Sequence, residues 1–195
     1  MIQNLFSMTG KVCLITGGSS GLGSYMAAGF LAAGAERVFI TGRSEDKLSK
    51  KAYELSALSE GQCIGISGDL SDLEGVQALA DAISQRESHL DVLVNNAGLG
   101  LGTQIETMTA KAWDKSMSLN ARSPLFLTQA LLELLKAKAT LDDPSRIIFI
   151  SSVAASGVLP SVLAYSTSKK AVEHLTPSLA PVSYTHLTLP TILRV

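Results

Sequence analysis

A glycine-rich run near the amino terminus constrains the fold of this chain more than any other feature. The run, residues 16–23, reads TGGSSGLG; it follows an apolar stretch at 12–15 and precedes a helical pattern at 24–33. A strand, a glycine turn and a helix in this order form the context that a dinucleotide site requires. Glycines let the backbone turn tightly and approach a pyrophosphate, which then lies on free N–H groups at the helix N-terminus. The pattern predicts either a cofactor site or a purely structural turn at Gly17, Gly18, Ser19, Ser20, Gly21, Leu22 and Gly23.

The composition predicts a globular chain and disfavours several kinds of partner. The 195 residues are 46% hydrophobic and 17% charged, which argues against disorder. A net charge of -1 gives no electrostatic basis for binding nucleic acid or an anionic membrane. No apolar run is long enough to span a bilayer and residues 1–10 lack a secretory pattern, so we expect a cytoplasmic protein. Cys13 and Cys63 lie in apolar segments, which favours buried thiols over a disulfide or a metal site.

Strand-like and helical patterns alternate along the chain. Apolar runs typical of strands occur at 12–15, 38–41, 63–66, 91–94 and 146–151, and helical patterns at 22–33, 45–58, 72–87, 110–137 and 165–176. This alternation predicts an α/β fold with a doubly wound parallel sheet of the Rossmann type, strand order 3-2-1-4-5 and helices on both faces. Ligands of such sheets bind outside the carboxyl ends of the strands, and the remaining motifs fall at those ends.

Three short motifs follow strands two, three and four. Arg43 stands where an NAD site usually has a carboxylate, and its planar fork suits a 2′-phosphate; a solvated arginine at a helix start is the alternative. Asp69 and Leu70 either flank an adenine or form the turn that starts a helix. Residues 95–98, Asn-Asn-Ala-Gly, either let the backbone lie against a cofactor or form an ordinary turn.

A tyrosine and a lysine, Tyr165 and Lys169, lie four residues apart at the start of the last helical pattern. That spacing places both on one helix face, one turn apart. A phenol is a weak acid near neutral pH, and a neighbouring ammonium group favours the phenolate, which suits the pair to proton transfer. Ser152, after strand five, offers a hydroxyl at the same edge. The alternative for Tyr165 and Lys169 is an ordinary pair on the protein surface. Asn120 lies within the helical pattern 110–137, where a polar asparagine marks either a functional position or a solvated helix face.

Together these motifs resemble the short-chain dehydrogenase/reductase family over residues 11 to about 180. The family's TGxxxGxG, Asp-Leu and NNAG motifs match 16–23, 69–70 and 95–98, and its catalytic residues match Asn120, Ser152, Tyr165 and Lys169. The resemblance implies that Tyr165 is the general acid in carbonyl reduction. It also implies that Lys169 holds the nicotinamide ribose and assists Tyr165 in proton transfer. Ser152 would orient the carbonyl and Asn120 would anchor a water that relays protons. The implied cofactor site adds to the glycine run Arg43, Asp69, Leu70, Asn96, Ala97, Gly98, Tyr165 and Lys169.

The resemblance also indicates a cofactor and a substrate class. Gly42 and Arg43 stand where NAD-dependent members tend to carry an acid, which favours NADP(H) over NAD(H), although Ser20 replaces the usual basic residue of the first glycine loop. The segments 37–40, 69–71 and 143–148 look like those of the 3-oxoacyl-(acyl-carrier-protein) reductases, rhamnolipid-type members included. The implied substrate is a small carbonyl compound or alcohol, with a 3-oxoacyl thioester as the specific candidate.

The carboxyl-terminal part departs from the family pattern, which would continue with a strand, a helical lid and a strand. Residues 182–191 instead resemble a translated sequencing adaptor. We therefore expect an incomplete dinucleotide-binding domain at 1–180, a non-native tail at 181–195, strand five at the sheet edge and a kink or early helix end at Pro177. Family members form homodimers or homotetramers through helices near 110–137 and 165–180. An NADPH-dependent reductase is the first function hypothesis, and a truncated, non-catalytic NADP-binding fragment is the second.

Overall fold

Short runs of wholly buried residues form the centre of a parallel sheet. The computed structural model describes residues 6–157 and 159–179 and the backbone of 187–188. Its six strands are β1 (Val12–Ile15), β2 (Arg37–Gly42), β3 (Gln62–Ser67), β4 (Val92–Asn95), β5 (Ser145–Phe149) and β6 (Leu187–Thr188). Every position of β1 and β4 is buried, as expected for strands covered by helices on both faces.

The sheet order is β3-β2-β1-β4-β5-β6, which confirms the predicted order of the first five strands. Strand boundaries agree with the sequence patterns to within one residue, except that β5 ends at Phe149 rather than at 151. The chain leaves the sheet there and enters the short turn Val153–Ala155, where the Ser152 hydroxyl accepts from the N–H of Ala154.

The two-residue strand β6 was not predicted. Leu187 pairs with Ser145 and Thr188 pairs with Arg146, both in parallel register. The prediction that strand five forms the sheet edge is therefore wrong at this end of β5, because a short segment of the predicted tail satisfies part of its edge. The other residues of that predicted tail, 181–186 and 189–195, lie outside the described residues.

Helices cover both faces of the sheet and enclose two cores. They are α1 (Gly21–Ala32), α2 (Glu45–Ser56), α3 (Leu73–Ser84), α4 (Ala110–Met117), α5 (Ser123–Ala130), α6 (Leu132–Lys136) and α7 (Leu163–Leu179). Because side chains alternate along a strand, Leu14 and Phe39 enter the core under α3 and α5, while Ile15 and Ile40 enter the core under α1 and α2. Cys13 and Cys63 are free and buried, as predicted. Within the described part of the chain, none of the helices has both the length and the apolar character to cross a membrane.

The prediction of one helix over 110–137 is wrong. A π-helical turn, Ser118–Arg122, separates α4 from α5, and α6 follows as a further short helix. Pro124 explains the widened turn, because it has no N–H to donate to the carbonyl of Asn120 four residues earlier. The turn places Asn120 in the interior, where it is 1% exposed.

The early helix end predicted at Pro177 is not observed. α7 continues through Pro177 to Leu179, and the Ser178 hydroxyl donates to the carbonyl of His174 at 2.8 Å. A proline inside a helix removes one backbone hydrogen bond, but its fixed φ remains compatible with the helical conformation.

Two glycines of α1 provide a matched test of its close approach to the sheet. A Cβ atom at Gly23 would lie 2.3 Å from the carbonyl oxygen of Gly17, whereas one at exposed Gly29 would meet no atom within 4 Å. We expect Gly23→Ala to lower the free energy of unfolding by about 1–3 kcal/mol through overpacking. Gly29→Ala should raise it by about 0.5–1 kcal/mol, because alanine has the higher helix propensity. Urea unfolding of both variants checks the prediction, and effects of equal sign would contradict it.

Candidate active site

The glycine turn, residues 16–23, is shaped by backbone conformations and contacts that exclude side chains. Gly17 and Gly21 have φ values of +68° and +55°, in the left-handed region. A Cβ atom at Gly18 would lie 2.6 Å from Cβ of Ile40. Ser20 is the N-cap residue of α1, and its hydroxyl makes no capping bond to the first N–H groups of the helix. A bare backbone turn opening onto a helix N-terminus fits a pyrophosphate.

A cleft of about 270 Å³ lies beside this turn, at the carboxyl ends of β1 to β4. Nine of the residues predicted to bind a cofactor line it: Gly17, Ser19, Ser20, Arg43, Asp69, Leu70, Asn96, Ala97 and Gly98. We call it the nucleotide cleft. Gly18, Gly21 and Gly23 are not among its lining residues; Gly18 and Gly23 pack closely against neighbouring atoms, and the predicted cofactor contact of all three remains a prediction.

The loop after β3 carries a carboxylate into the nucleotide cleft. Asp69 accepts hydrogen bonds from the hydroxyl and the backbone N–H of Ser71, the latter at 2.9 Å. The Ser71 hydroxyl contributes most to lowering the pKa of Asp69, followed by the Ser71 N–H and the charges of Arg43 and Lys115. Asp69 thus forms the predicted local turn and also lines the cleft, and its place beside an adenine remains a prediction.

The loop after β4 is fastened to the glycine turn. The Thr16 hydroxyl accepts from the backbone N–H groups of Asn96 and Ala97 at 3.0 and 2.9 Å. The Asn96 side chain donates to the carbonyls of Thr16 and Gly17 at 2.8 and 3.2 Å. The ends of β1 and β4 are therefore joined by hydrogen bonds in both directions. Thr16 was not singled out in the sequence, although its position as the first residue of the motif was visible.

Asn120 fixes the next part of the same loop. Its side-chain oxygen accepts from Leu99 N at 2.8 Å, and its amide donates to Leu99 O at 3.0 Å and to the Ser168 hydroxyl at 2.9 Å. Ser168 in turn donates to the carbonyl of Tyr165 at 2.6 Å. The alternative of a solvated helix face is wrong for Asn120, since its side chain connects the π-helical turn to α7.

A second cleft of about 260 Å³ adjoins the first. It is lined by Leu22, Asn96, Gly98, Gly100, Ile150, Ser151, Tyr165 and Lys169, so the predicted tyrosine and lysine meet the glycine-turn residue Leu22. Asn96 and Gly98 line both clefts, so the two lie side by side. We call the second the tyrosine cleft.

Lys169 is a buried amine. It is 5% exposed, its Nζ donates to the carbonyl of Ile150 at 2.7 Å, and Nζ lies 5.8 Å from the centroid of the Tyr165 ring. Burial lowers its pKa to about 8. The alternative that Lys169 is an ordinary surface residue is therefore wrong, because its side chain is buried. Ser152 is 6% exposed and directly follows Ser151, and its hydroxyl accepts from Ala154 N at 3.2 Å.

The sequence analysis missed part of the wall of the nucleotide cleft. Lys115 of α4 and Leu119 of the π-helical turn line it, four residues apart. Their spacing places them on one helical face, which was readable from the sequence. Nothing in the sequence indicated that this face meets the loop after β3.

The buried amine of Lys169 makes stability depend on pH. Its ordinary pKa of 10.5 is lowered to about 8 in the folded protein, so between these values the unfolded chain binds the proton more tightly. Relative to Lys169→Met, the wild type should gain stability as pH rises through this window, by at most about 1.4 kcal/mol per pH unit, with a constant difference below it. Urea unfolding from about pH 7 to about pH 10 checks this, with exposed Lys47→Met as the control. A difference that stays constant with pH would contradict it.

Comparisons with known proteins agree with this geometry. The sequence matches the short chain dehydrogenase family over residues 11–187. It is 42% identical over 176 residues to the rhamnolipids biosynthesis 3-oxoacyl-(acyl-carrier-protein) reductase of Pseudomonas aeruginosa, covering 90% of this chain and 68% of that protein. It is 32% identical over 180 residues to the 2-dehydro-3-deoxy-D-gluconate 5-dehydrogenase of Escherichia coli, covering 92% and 68%. The solved structure of the Pseudomonas aeruginosa RhlG/NADP active-site complex superposes with a TM-score of 0.87 and 39% identity, over 92% of this chain and 69% of that one. This chain therefore belongs to the short-chain dehydrogenase/reductase family of oxidoreductases.

Proposed function

We propose that this chain catalyses NADP(H)-dependent interconversion of a ketone and a secondary alcohol. The observation that carries the proposal is that the two clefts adjoin. The nucleotide cleft holds the glycine turn and Arg43, the tyrosine cleft holds Tyr165 and Lys169, and the two share Asn96 and Gly98. One elongated ligand with phosphates at its centre fits such a site, and the backbone-lined glycine turn suits those phosphates.

Tyr165 and Lys169 of the tyrosine cleft divide the chemistry with Ser152, which follows the lining residue Ser151. A bound nicotinamide supplies the hydride, while the protein supplies position and proton transfer. Tyr165 donates its phenolic proton to the carbonyl oxygen of the substrate as the general acid. Lys169, held by the carbonyl of Ile150, places its amine near the Tyr165 ring and offers a donor to the ribose. Ser152 donates to the substrate carbonyl and fixes its orientation.

Asn120 supports Tyr165 and Lys169 through a hydrogen bond to α7, the helix that carries both. Its amide reaches Tyr165 through the Ser168 hydroxyl, which donates to the Tyr165 carbonyl. Asn120 therefore fixes the first turn of α7, on which the tyrosine is carried. We retain for it the further role of anchoring a water that relays protons to Lys169.

Two observations favour NADP(H) over NAD(H). Arg43 lines the nucleotide cleft directly after β2, and no acidic residue stands at 41–43. An arginine fork at this place suits a 2′-phosphate, whereas an acidic residue would repel it. The similar structure of RhlG is an NADP complex, which supports the same cofactor for this chain.

A third groove, of about 650 Å³, favours an acyl substrate. It lies beside α7 and includes Ser166, the residue after Tyr165. Its lining includes the apolar side chains of Ile105, Leu159 and Leu163, which are 69%, 48% and 43% exposed. An extended apolar chain would cover these side chains. Together with the similarity to a 3-oxoacyl reductase, this makes a 3-oxoacyl thioester the first substrate to assay.

Replacement of the proposed general acid tests the reaction. We expect Tyr165→Phe to lower kcat for ketone reduction about 10²- to 10⁴-fold, because the variant has no proton to donate, and to leave NADPH affinity within about twofold. Tyr53→Phe, at a position 79% exposed on α2, is the matched control and should retain full activity. NADPH binding by the wild type without turnover, unchanged in Tyr165→Phe, would instead support the non-catalytic fragment.

Replacement of the proposed phosphate ligand tests the cofactor. We expect wild-type kcat/KM to be higher with NADPH than with NADH. Arg43→Ala should lower kcat/KM for NADPH about 10- to 100-fold through loss of a charge-assisted hydrogen bond, with little change for NADH. The two cofactors control for each other within one preparation. A wild type that prefers NADH, or an equal loss with both cofactors, would overturn the assignment.

A further inference from the structure

The π-helical turn Ser118–Arg122 holds two walls of the nucleotide cleft at once. Asn120, at its centre, bonds the backbone of Leu99 in the loop after β4. Arg122, at its end, donates from Nη2 to the carbonyl of Ser71 in the loop after β3, at 2.9 Å. One short irregular turn therefore bonds two loops that reach the cleft from β3 and β4, strands that β2 and β1 separate in the sheet.

The loop that Arg122 holds contains the residues expected beside an adenine. Ser71 also donates both its N–H and its hydroxyl to Asp69, so an anchored Ser71 fixes the Asp69 carboxylate. Leu70, between them, is 5% exposed and lines the cleft. The bond to the Ser71 carbonyl thus helps to hold Asp69 and Leu70 in the wall of a cleft that Lys115 and Leu119 also line.

Arg122 acts on the cleft only through Ser71. It is exposed and is not among the residues that line the nucleotide cleft, so direct contact with a ligand there is not its role. Its guanidinium is permanently charged and its donors are fixed in a plane, which makes the bond to the carbonyl directional.

We propose that Arg122 is a positioning residue for the adenosine half of the cofactor, which it serves by anchoring the loop 68–71 through the Ser71 carbonyl. The inference rests on the proposed function, since it requires that the nucleotide cleft bind NADPH. It assigns to the π-helical turn a role at the adenosine end of the cofactor, distinct from the role of Asn120 at the reacting end.

Binding of a cofactor half separates this role from catalysis. We would measure dissociation constants of Arg122→Gln and the wild type for NADPH and for adenosine 2′,5′-bisphosphate by titration calorimetry, and kcat at saturating NADPH. Loss of one hydrogen bond should raise both dissociation constants by the same factor, about three- to tenfold, with kcat within about twofold. Arg122→Lys, which keeps a charged donor, should recover part of the affinity.

Arg86 provides the matched control. It is also exposed and also donates to a backbone carbonyl, that of Ala82 at 2.7 Å, but at the end of α3, away from the cleft. Arg86→Gln should leave both dissociation constants unchanged. Wild-type affinity in Arg122→Gln, or a loss of kcat without loss of affinity, would overturn the inference while leaving the proposed function intact. A wild type that binds neither ligand would overturn the proposed function and this inference with it.

Discussion

The hydrogen bonds between the ends of β1 and β4 are the constraint on which both clefts depend. Thr16 and Asn96 exchange donors and acceptors there, each bonding the backbone of the other's segment. The order in which strands are added to the sheet reverses between β1 and β4, and these bonds extend the pairing of the two strands into the loops that follow them. Because Asn96 and Gly98 line both clefts, the same interaction helps to shape the walls of both.

Close packing of backbone on backbone is the second requirement, and it explains the glycines better than flexibility does. Gly23 brings α1 against the carbonyl of Gly17, and Gly18 brings the turn against Ile40. At Gly98, a Cβ atom would lie 3.4 Å from both Asn120 Oδ1 and Lys169 Nζ. The glycines thus serve the protein's own packing, and this structural role is compatible with the proposed cofactor role of the same turn.

The sequence predicted the features that follow from hydrophobic periodicity and from parallel-strand geometry: strand order, the alternation of elements and the convergence of Arg43, Asp69 and Gly98. It missed the break at 118–122, where Pro124 interrupts a strong helical pattern, and the β5–β6 pairing, which joins residues 42 apart. Assembly through α4 to α7 remains a prediction. Hydrophobic periodicity does not report such pairings, because it shows which face of an element is apolar but not which segment packs against that face.

Lys169 shows how the fold places an energetically unfavourable group where chemistry needs it. A buried amine is disfavoured as a cation, and the carbonyl of Ile150 offsets only part of that cost, since burial still lowers the pKa to about 8. A methionine of similar length would avoid the desolvation entirely. The surrounding structure nevertheless holds the amine in place, with Gly98 leaving room on one side and α7 fixed through Ser168 and Asn120 on the other. Perturbed groups of this kind concentrate at functional sites, and here the perturbed group lies in the cleft that contains Tyr165. Near neutral pH, the buried amine of Lys169 lowers the free energy of unfolding. This cost, independently of any sequence motif, favours a chemical role for Lys169 at this edge of the sheet.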